Sequence, residues 1–510
     1  MPTPAYRPLD WLGSSRLFWG AFAVMAAIRL VTIAWRDLVP DEAVYWVWSQ
    51  HLDIGYRDHP PMVAWIIFVG TSAFGHAEWA VRLVGWGMAL TSALFIREAA
   101  RALGHGDARA ANTAGLLMIL SPISALSGTV VTPDTPVIFF TAAALWSLIR
   151  VAQAAPGQAR GGWLVFGVLM GLALLSKYTT AVVGLSVFLG LVLTRQGRAH
   201  LATPWPWLGA MLSLLCFLPV IVWNARHDWA SFAFQANQGL GAAAKHRMWE
   251  SIGEYLGSQV GLINPLLFAA FCYVAWETIR GHRERPALPN ALLLWVALFH
   301  AAFFAYSSSR ARVEFNWPVL TWLPALILLA CHVTAAPKVW MGRLVAWGAG
   351  LALLLSLALH MAPEVALGIG VKNPKLFEVF GWRQLGEHVD NLAGDAPVVA
   401  RRFRDAAIVT YYRPSKRLVY VVLPQDATTT TSWDYFAPLP DLSRFERAIF
   451  IRTDVGTVNR FFRSQSSQRH DTIMWGQVIR QTALTLARDG HSFLPQKPED
   501  SVAGEDASLQ

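Results

Sequence analysis

Asp41-Glu42-Ala43-Val44-Tyr45-Trp46, followed shortly by Tyr56-Arg57-Asp58-His59-Pro60-Pro61, stands just past the first apolar run of span length. A short connection between two membrane spans needs only turn residues. Adjacent carboxylates, a third carboxylate and a histidine beside a rigid Pro-Pro exceed that need, so this loop reads as the floor of a site at a membrane surface. The apolar runs around it decide the fold. Stretches of about 17–22 residues, enough to cross a roughly 30 Å hydrocarbon core, recur through the first 360 positions. They fall near 16–35, 77–97, 109–127, 134–153, 162–176, 179–194, 206–223, 258–279, 290–306, 317–335 and 340–360. The run at 62–74 is shorter and follows Pro60-Pro61, which marks it as interfacial or re-entrant. The expected fold class is therefore a polytopic α-helical membrane protein with about eleven transmembrane helices.

Composition agrees. The 510 residues are 54% hydrophobic and only 15% charged, with 24 Trp and a mean hydropathy of +0.37. A soluble domain carries about 25% charged residues. The three cysteines, Cys216, Cys272 and Cys331, sit inside apolar runs and form neither a disulfide framework nor a metal motif. The first apolar run has no small-residue cleavage site behind it and is expected to remain as a span. The net charge of +9 belongs to basic inner loops, since no basic helix or aromatic stacking platform accompanies it.

Positive charge fixes the direction of the spans. With the N-terminus inside, the inner turns carry Arg97, Arg101 and Arg109, then Arg150 and Arg160, Arg195 and Arg198, Arg280, Arg283 and Arg285, and Lys338 and Arg343. The same topology gathers the Asp41 loop, Thr132-Pro133-Asp134, Ser176-Lys177-Tyr178, the 224–257 loop and residues 309–317 on the outer face. There Lys177, Lys245, Arg247, Arg310 and Arg312 break the basic-inside pattern, which an anionic ligand at that face would explain. Residues 10–361 form the expected membrane domain. Residues 362–494 are expected as an outer α/β domain, with strands near 397–400, 418–423 and 448–452 and helices over 379–392 and 403–412. The acidic end, 495–510, reads as disordered.

Each chemical group has a plain structural alternative. Asp41 and Glu42 after Pro40 make a good helix start, acids being favoured in a first turn; equally, one of them can serve as a general base. Asp58-His59-Pro60-Pro61 is either a surface turn or a site where His59 donates a hydrogen bond to a phosphate oxygen, and a metal at His59 is the weaker option because no second histidine lies at ligand spacing. Asp134 is a helix cap or a paired carboxylate at a span mouth. Lys177 either snorkels to the interface or meets an anion. Arg310 and Arg312, before Glu314 and Asn316, suit bidentate phosphate binding or an internal salt bridge.

Taken in order, Asp41-Glu42, His59-Pro60-Pro61, Thr132-Pro133-Asp134, Ser176-Lys177-Tyr178 and Arg312-Val313-Glu314-Phe315-Asn316-Trp317-Pro318 resemble the bacterial family-39-like glycosyltransferases. That group stands with the protein O-mannosyltransferases and the lipid A aminoarabinose and galacturonosyl transferases in the GT-C superfamily. The resemblance covers about residues 10–360. It implies a GT-C fold and transfer from a polyprenyl-phosphate-linked sugar at the periplasmic face of the inner membrane, inverting at the anomeric carbon. It also implies a lipid, glycan or protein acceptor. No cofactor is expected, since Lys177, Arg310 and Arg312 can meet the leaving phosphate's charge without a metal, a divalent metal being the alternative. Asp41 matches the loop aspartate that serves as base or orients the acceptor, with Glu42 beside it as the second catalytic candidate. Tyr45, Asp58, His59 and Asp134 are then expected at the acceptor or sugar. Two departures matter. Lipid A transferases carry Lys where His59 stands, and protein mannosyltransferases follow His-Pro-Pro with Leu-Gly-Lys rather than Met62-Val63-Ala64. Donor phosphate is therefore expected at Lys177, Arg310 and Arg312. The main reading from another class is a lipid or solute transporter, which would place ionisable groups near the bilayer midplane and show inverted repeats.

Overall fold

The computed structural model describes residues 11–240, 248–281, 287–335, 338–371, 373, 375–422, 433 and 436–490. Lys245, Arg247, Arg283, Arg285 and the acidic end 495–510 lie outside the described residues. The chain divides into two compact units, Met1–Phe380 and Gly381–Gln510.

The first unit is helical. In chain order it runs α1 Ser15–Trp35, α2 Pro40–Gln50, α3 Met62–Phe74, α4 Glu78–Leu103, α5 Ala108–Leu120 and α6 Pro122–Ser127. It continues with α7 Asp134–Gln153, α8 Arg160–Leu174, α9 Thr180–Leu193, α10 Arg195–Leu201, α11 Trp205–Arg226 and α12 Ala230–Leu240. After that come α13 Met248–Ile263, α14 Pro265–Gly281, α15 Leu288–Ser308, a 3₁₀ turn at Trp317–Thr321, α16 Trp322–Ala335 and α17 Val339–Gly368.

Among the described residues, seven helices are long and apolar enough to cross a membrane, or up to nine if each bent pair is one span. The difference from eleven has local causes. The expected span at 109–127 stops where Ser121 caps α6, its hydroxyl accepting from Ser124 N–H at 3.2 Å, and Pro122 opens the new helix. The expected span at 258–279 bends by 100° at Asn264. That residue takes φ +74°, and its side chain accepts from the Leu266 and Leu267 amides, both at 3.1 Å. The segment 62–74 is the 13-residue helix α3, too short for an untilted span.

Packing is closest where side chains are absent. On α8, a Cβ added to Gly167 would lie 2.0 Å from the Gly209 carbonyl oxygen of α11, and one at Gly171 would meet Cys216 and Ser213. Small residues allow helix backbones to approach in this way. Facing side chains of α4, α5, α7, α15 and α16 fill the main apolar core.

The second unit joins α18 Trp382–Ala393, β1 Val398–Ala400, α19 Phe403–Tyr412, β2 Tyr420–Val421, β3 Arg447–Ile451 and α20 Val455–Asn459 to a long hairpin. The hairpin strands are β4 Phe462–Met474 and β5 Gln477–Gly490. The sheet order is β2-β1-β3-β5-β4, with the first three strands parallel and the hairpin antiparallel. The helices expected at 379–392 and 403–412 correspond to α18 and α19. The expected strand at 418–423 is only the two-residue β2, and position 423 lies outside the described residues.

Candidate active site

Pro40 opens α2, and Asp41 and Glu42 occupy its first turn. Glu42 turns inward and is fully buried. Its carboxylate accepts from the Val39 amide at 3.0 Å, the Val131 amide at 2.9 Å, Arg82 Nε at 2.8 Å and Arg82 Nη2 at 2.6 Å. Arg82 is itself buried and donates further to the Ile33, Arg36 and Asp37 carbonyls at 3.2, 2.8 and 2.8 Å. One guanidinium thus satisfies the orphan carbonyls at the end of α1 and holds the start of α2. The expectation that Glu42 is catalytic is corrected here: four donors saturate both oxygens, and no solvent reaches them. It is a positioning residue.

Asp41 keeps partial exposure. On a helix, residues four apart share a face, so Asp41 and Tyr45 look the same way. Tyr45 in turn meets the His59 ring edge-on, with centroids 6.2 Å apart. The loop that delivers His59 is anchored through Tyr56. Tyr56 stacks on Trp48 at 4.4 Å, and its hydroxyl donates to the Trp48 carbonyl at 3.0 Å while accepting from the Asp53 amide at 3.1 Å. Asp58 pairs with its neighbour Arg57 at 3.1 Å, which lies 4.5 Å from the centre of the Phe234 ring.

Opposite α2, Asp134 opens α7 with its Oδ1 2.6 Å from Lys177 Nζ; both residues are buried. Asn316 donates to the other oxygen, Oδ2, at 2.5 Å. Burial, and next the Lys177 charge, push His59 down to about 4, with Asp134 opposing. His59 is therefore neutral near pH 7. Tyr178, next in sequence to Lys177, bonds Ser231 at 2.7 Å, and burial raises its hydroxyl to about 12.

The structure thus gathers Tyr45, His59, Asp134 and Lys177. Arg310 and Arg312 do not join them: both are exposed on the loop that leads to Asn316. Arg312 pairs with Glu254 at 3.3 Å, with side-chain exposures of 70% and 51%. Sequence reading missed Arg82 and gave Asn316 no role of its own. Arg82 carried a signal, as an ionisable residue inside an apolar span. Asn316 carried none apart from its motif. Among the described residues, no three His, Cys, Asp or Glu side chains cluster as a metal site.

Comparison with known proteins extends this geometry. The crystal structure of ArnT from Cupriavidus metallidurans superposes with a TM-score of 0.63 at 18% identity, covering 92% of this chain and 98% of that one. The fold is of the GT-C type. An oligosaccharyltransferase from Archaeoglobus fulgidus also matches, with a TM-score of 0.52 at 12% identity over 87% of this chain and 70% of that one. Residues 58–223 match the family profile described as dolichyl-phosphate-mannose-protein mannosyltransferase. Lipid A galacturonosyltransferase RgtD of Rhizobium johnstonii is 27% identical over 305 residues, which is 57% of this chain and 60% of that protein. The chain therefore matches under two thirds of that relative's length. The resemblance drawn from the sequence motifs is borne out.

Proposed function

We propose that this chain transfers a sugar from a polyprenyl-phosphate-linked donor to lipid A or a related envelope acceptor. The step is a single displacement. Asp41 takes the proton of the acceptor hydroxyl as its oxygen attacks the anomeric carbon, and the bond from that carbon to the phosphate oxygen breaks with inversion. The phosphate leaves with the electron pair. Its growing charge is what preorganised cations stabilise best, and Lys177 is the buried cation at this mouth. The Lys177–Asp134–Asn316 cluster facing His59 and Tyr45 is the observation that carries the reading.

Three further points support it. RgtD acts on lipid A by its name, and ArnT has been crystallised bound to undecaprenyl phosphate. An apolar groove of 310 Å³ runs between α8, α9 and α11, and two of its lining residues, Leu174 and Thr180, flank the Lys177 turn. An isoprenoid chain fits such a groove while its phosphate reaches Lys177. Transfer is favoured over transport by the transferases among the relatives, and Asp134 and Lys177 stand at helix ends. The basic-inside pattern supports an inner-membrane protein with this mouth, and the second unit, on the periplasmic face.

The test is reconstitution with labelled polyprenyl-phosphate sugars and purified lipid A. Transfer with release of polyprenyl phosphate is expected, together with periplasmic labelling of cysteines placed at the exposed positions 52 and 312. Lipid translocation without transfer, or cytoplasmic labelling of those sites, would overturn the reading.

A further inference from the structure

Two helices of the membrane unit, α1 and α17, are tied together at their C-terminal ends. Arg36, just past α1, donates to Glu364 Oε1 at 3.0 Å and Oε2 at 2.6 Å, and it also reaches the His360 carbonyl of α17. Toward their N-terminal ends a groove of 470 Å³ opens between the two helices. Leu116 and Leu120 of α5, both buried, close it from behind. Its walls hold Gly20 of α1 and Gly350 of α17, and a Cβ added to either would meet nothing within 4 Å. Little protein covers these helices: across their most apolar windows, 22% of α1 and 33% of α17 is buried, against 78% of α7. The groove therefore lies on a face that the hydrocarbon of the bilayer meets.

Charge stands only at its mouth. Arg16 lines that end together with Trp11. On α17 the groove residues Ala346, Gly350 and Leu353 recur at helical spacing, and Arg343 precedes Ala346 by one turn on the same stripe. Both arginines are exposed, and neither has an ion pair or hydrogen bond among the described residues. Snorkelling accounts for a lone cation at a span end. Two cations without a carboxylate, heading the two walls of one groove, make a seat for an anion. From Arg16 to Met25 and from Arg343 to Leu353 the helices rise about 14–15 Å, which is half of a roughly 30 Å hydrocarbon core. The groove is thus one leaflet deep, apolar along its length and cationic at its mouth. A phospholipid has the complementary profile, with an acyl chain one leaflet long under a phosphate that arginine pairs well. Trp11 adds an indole where interfacial anchors are favoured.

We propose that α1, α5 and α17 form a binding site for one anionic phospholipid, its acyl chain in the groove and its phosphate at Arg16 and Arg343. The site is separate from the transfer reaction, and its test reads lipid binding. The full chain is delipidated in detergent and titrated with phosphatidylglycerol, and bound lipid is counted by native mass spectrometry. One retained phosphatidylglycerol is expected, which equimolar phosphatidylcholine does not displace. Arg16→Ala combined with Arg343→Ala should weaken retention by about 10–30-fold, the attraction of two cations near a lipid surface. Arg150→Ala combined with Arg160→Ala removes the same charge elsewhere and should leave retention unchanged. An equal loss there would reduce the effect to diffuse attraction and overturn the site. Gly350→Trp fills the groove while keeping both arginines, so retention should vanish with the thermal midpoint of the lipid-free protein held. Persistent retention in that variant would overturn the proposal. Should it fail to fold, Gly20→Phe blocks the opposite wall and is read in the same way. On the unmodified chain, a phosphatidylglycerol carrying a diazirine midway along one acyl chain should label the α1 and α17 peptides that line the groove. Labelling confined to other helices counts against the site, and so does loss of that label to polyprenyl phosphate, which would give the groove to another lipid.

Discussion

Lys177 Nζ and Asp134 Oδ1, from the turn after α8 and the first turn of α7, form a 2.6 Å ion pair that is almost wholly buried. A pair in that setting holds the ammonium in place and lowers its solvation, so an arriving phosphate competes with one carboxylate rather than with bulk water. Arg312, by contrast, is exposed and pairs with the exposed Glu254.

The two cations should therefore separate in kinetics. Lys177→Ala should lower transfer by about 10²–10³-fold, the loss typical of removing one group aimed at developing charge. Arg312→Ala should cost at least about tenfold less, because exposed pairs contribute about 0–1 kcal/mol. Donor-dependence kinetics on both variants check this. An equal loss at Arg312 would move the phosphate site to the rim.

Asp41 and Glu42 are neighbours in sequence with opposite expected phenotypes. Glu42→Gln weakens the bidentate bond to Arg82 and leaves a buried guanidinium without its counter-charge. Breaking such a pair costs about 3–5 kcal/mol, visible as low membrane yield and a lowered thermal midpoint. Asp41→Asn should leave both near normal and cut transfer by about 10²–10⁴-fold. Arg82→Met combined with Glu42→Leu should recover part of the stability, since it removes both charges together. A stable, inactive Glu42→Gln enzyme would return Glu42 to the chemistry.

Much of the helical architecture was legible because the signals that specify it are local. Apolar length marks helices, and basic turns mark direction. The residues of the site were legible one at a time: Asp134 as a cap, Lys177 as a snorkelling cation, His59 as part of a turn. Their meeting was not, because Asp134 lies 43 residues from Lys177 and 182 from Asn316, and no periodicity links them. Glu42 misled for the same reason. A carboxylate in a first turn looks alike in sequence whether it faces solvent or Arg82, 40 residues on. The breaks at Ser121-Pro122 and Asn264-Pro265 stood in the sequence, but hydropathy averages run straight over them.

His59 should give no acidic limb to donor use above pH 6. Its folded value, about 4, lies below the ordinary 6.5, so the neutral ring is the folded form. Unfolded chains gain a proton as pH falls through about 6.5 while the folded protein does not until about 4. The stability this linkage contributes is full above 6.5 and is lost as pH falls toward 4. His59→Gln should remove that slope, so the wild-type advantage in thermal midpoint shrinks on acidification. A His59 contribution to donor affinity that weakens as pH rises through 6.5 would show a cationic ring instead.

The α8–α11 contact should help to set where Lys177 stands, three residues past the end of α8, and two glycines on α8 separate that effect from helix propensity. Gly161 has open space around an added Cβ, whereas Gly167 faces the Gly209 carbonyl at 2.0 Å. In a helix interior, as at Gly167, a change to Ala improves intrinsic helix propensity by about 1 kcal/mol; at Gly161, in the first turn of α8, the gain is smaller. Gly161→Ala should therefore be neutral or mildly stabilising. Gly167→Ala must push two backbones apart, an overpacking cost of about 1–3 kcal/mol, and it moves the α8 end that leads through Leu175 into Lys177. The Leu175 carbonyl also receives the Met62 amide at 3.1 Å, so the shift reaches the His59 loop. A displacement of roughly 1 Å at a reacting group can cost about 10²-fold. Transfer should then fall more than stability alone explains, measured as turnover per folded molecule in detergent. Equal behaviour of the two alanine variants would show that the α8–α11 contact does not position the site.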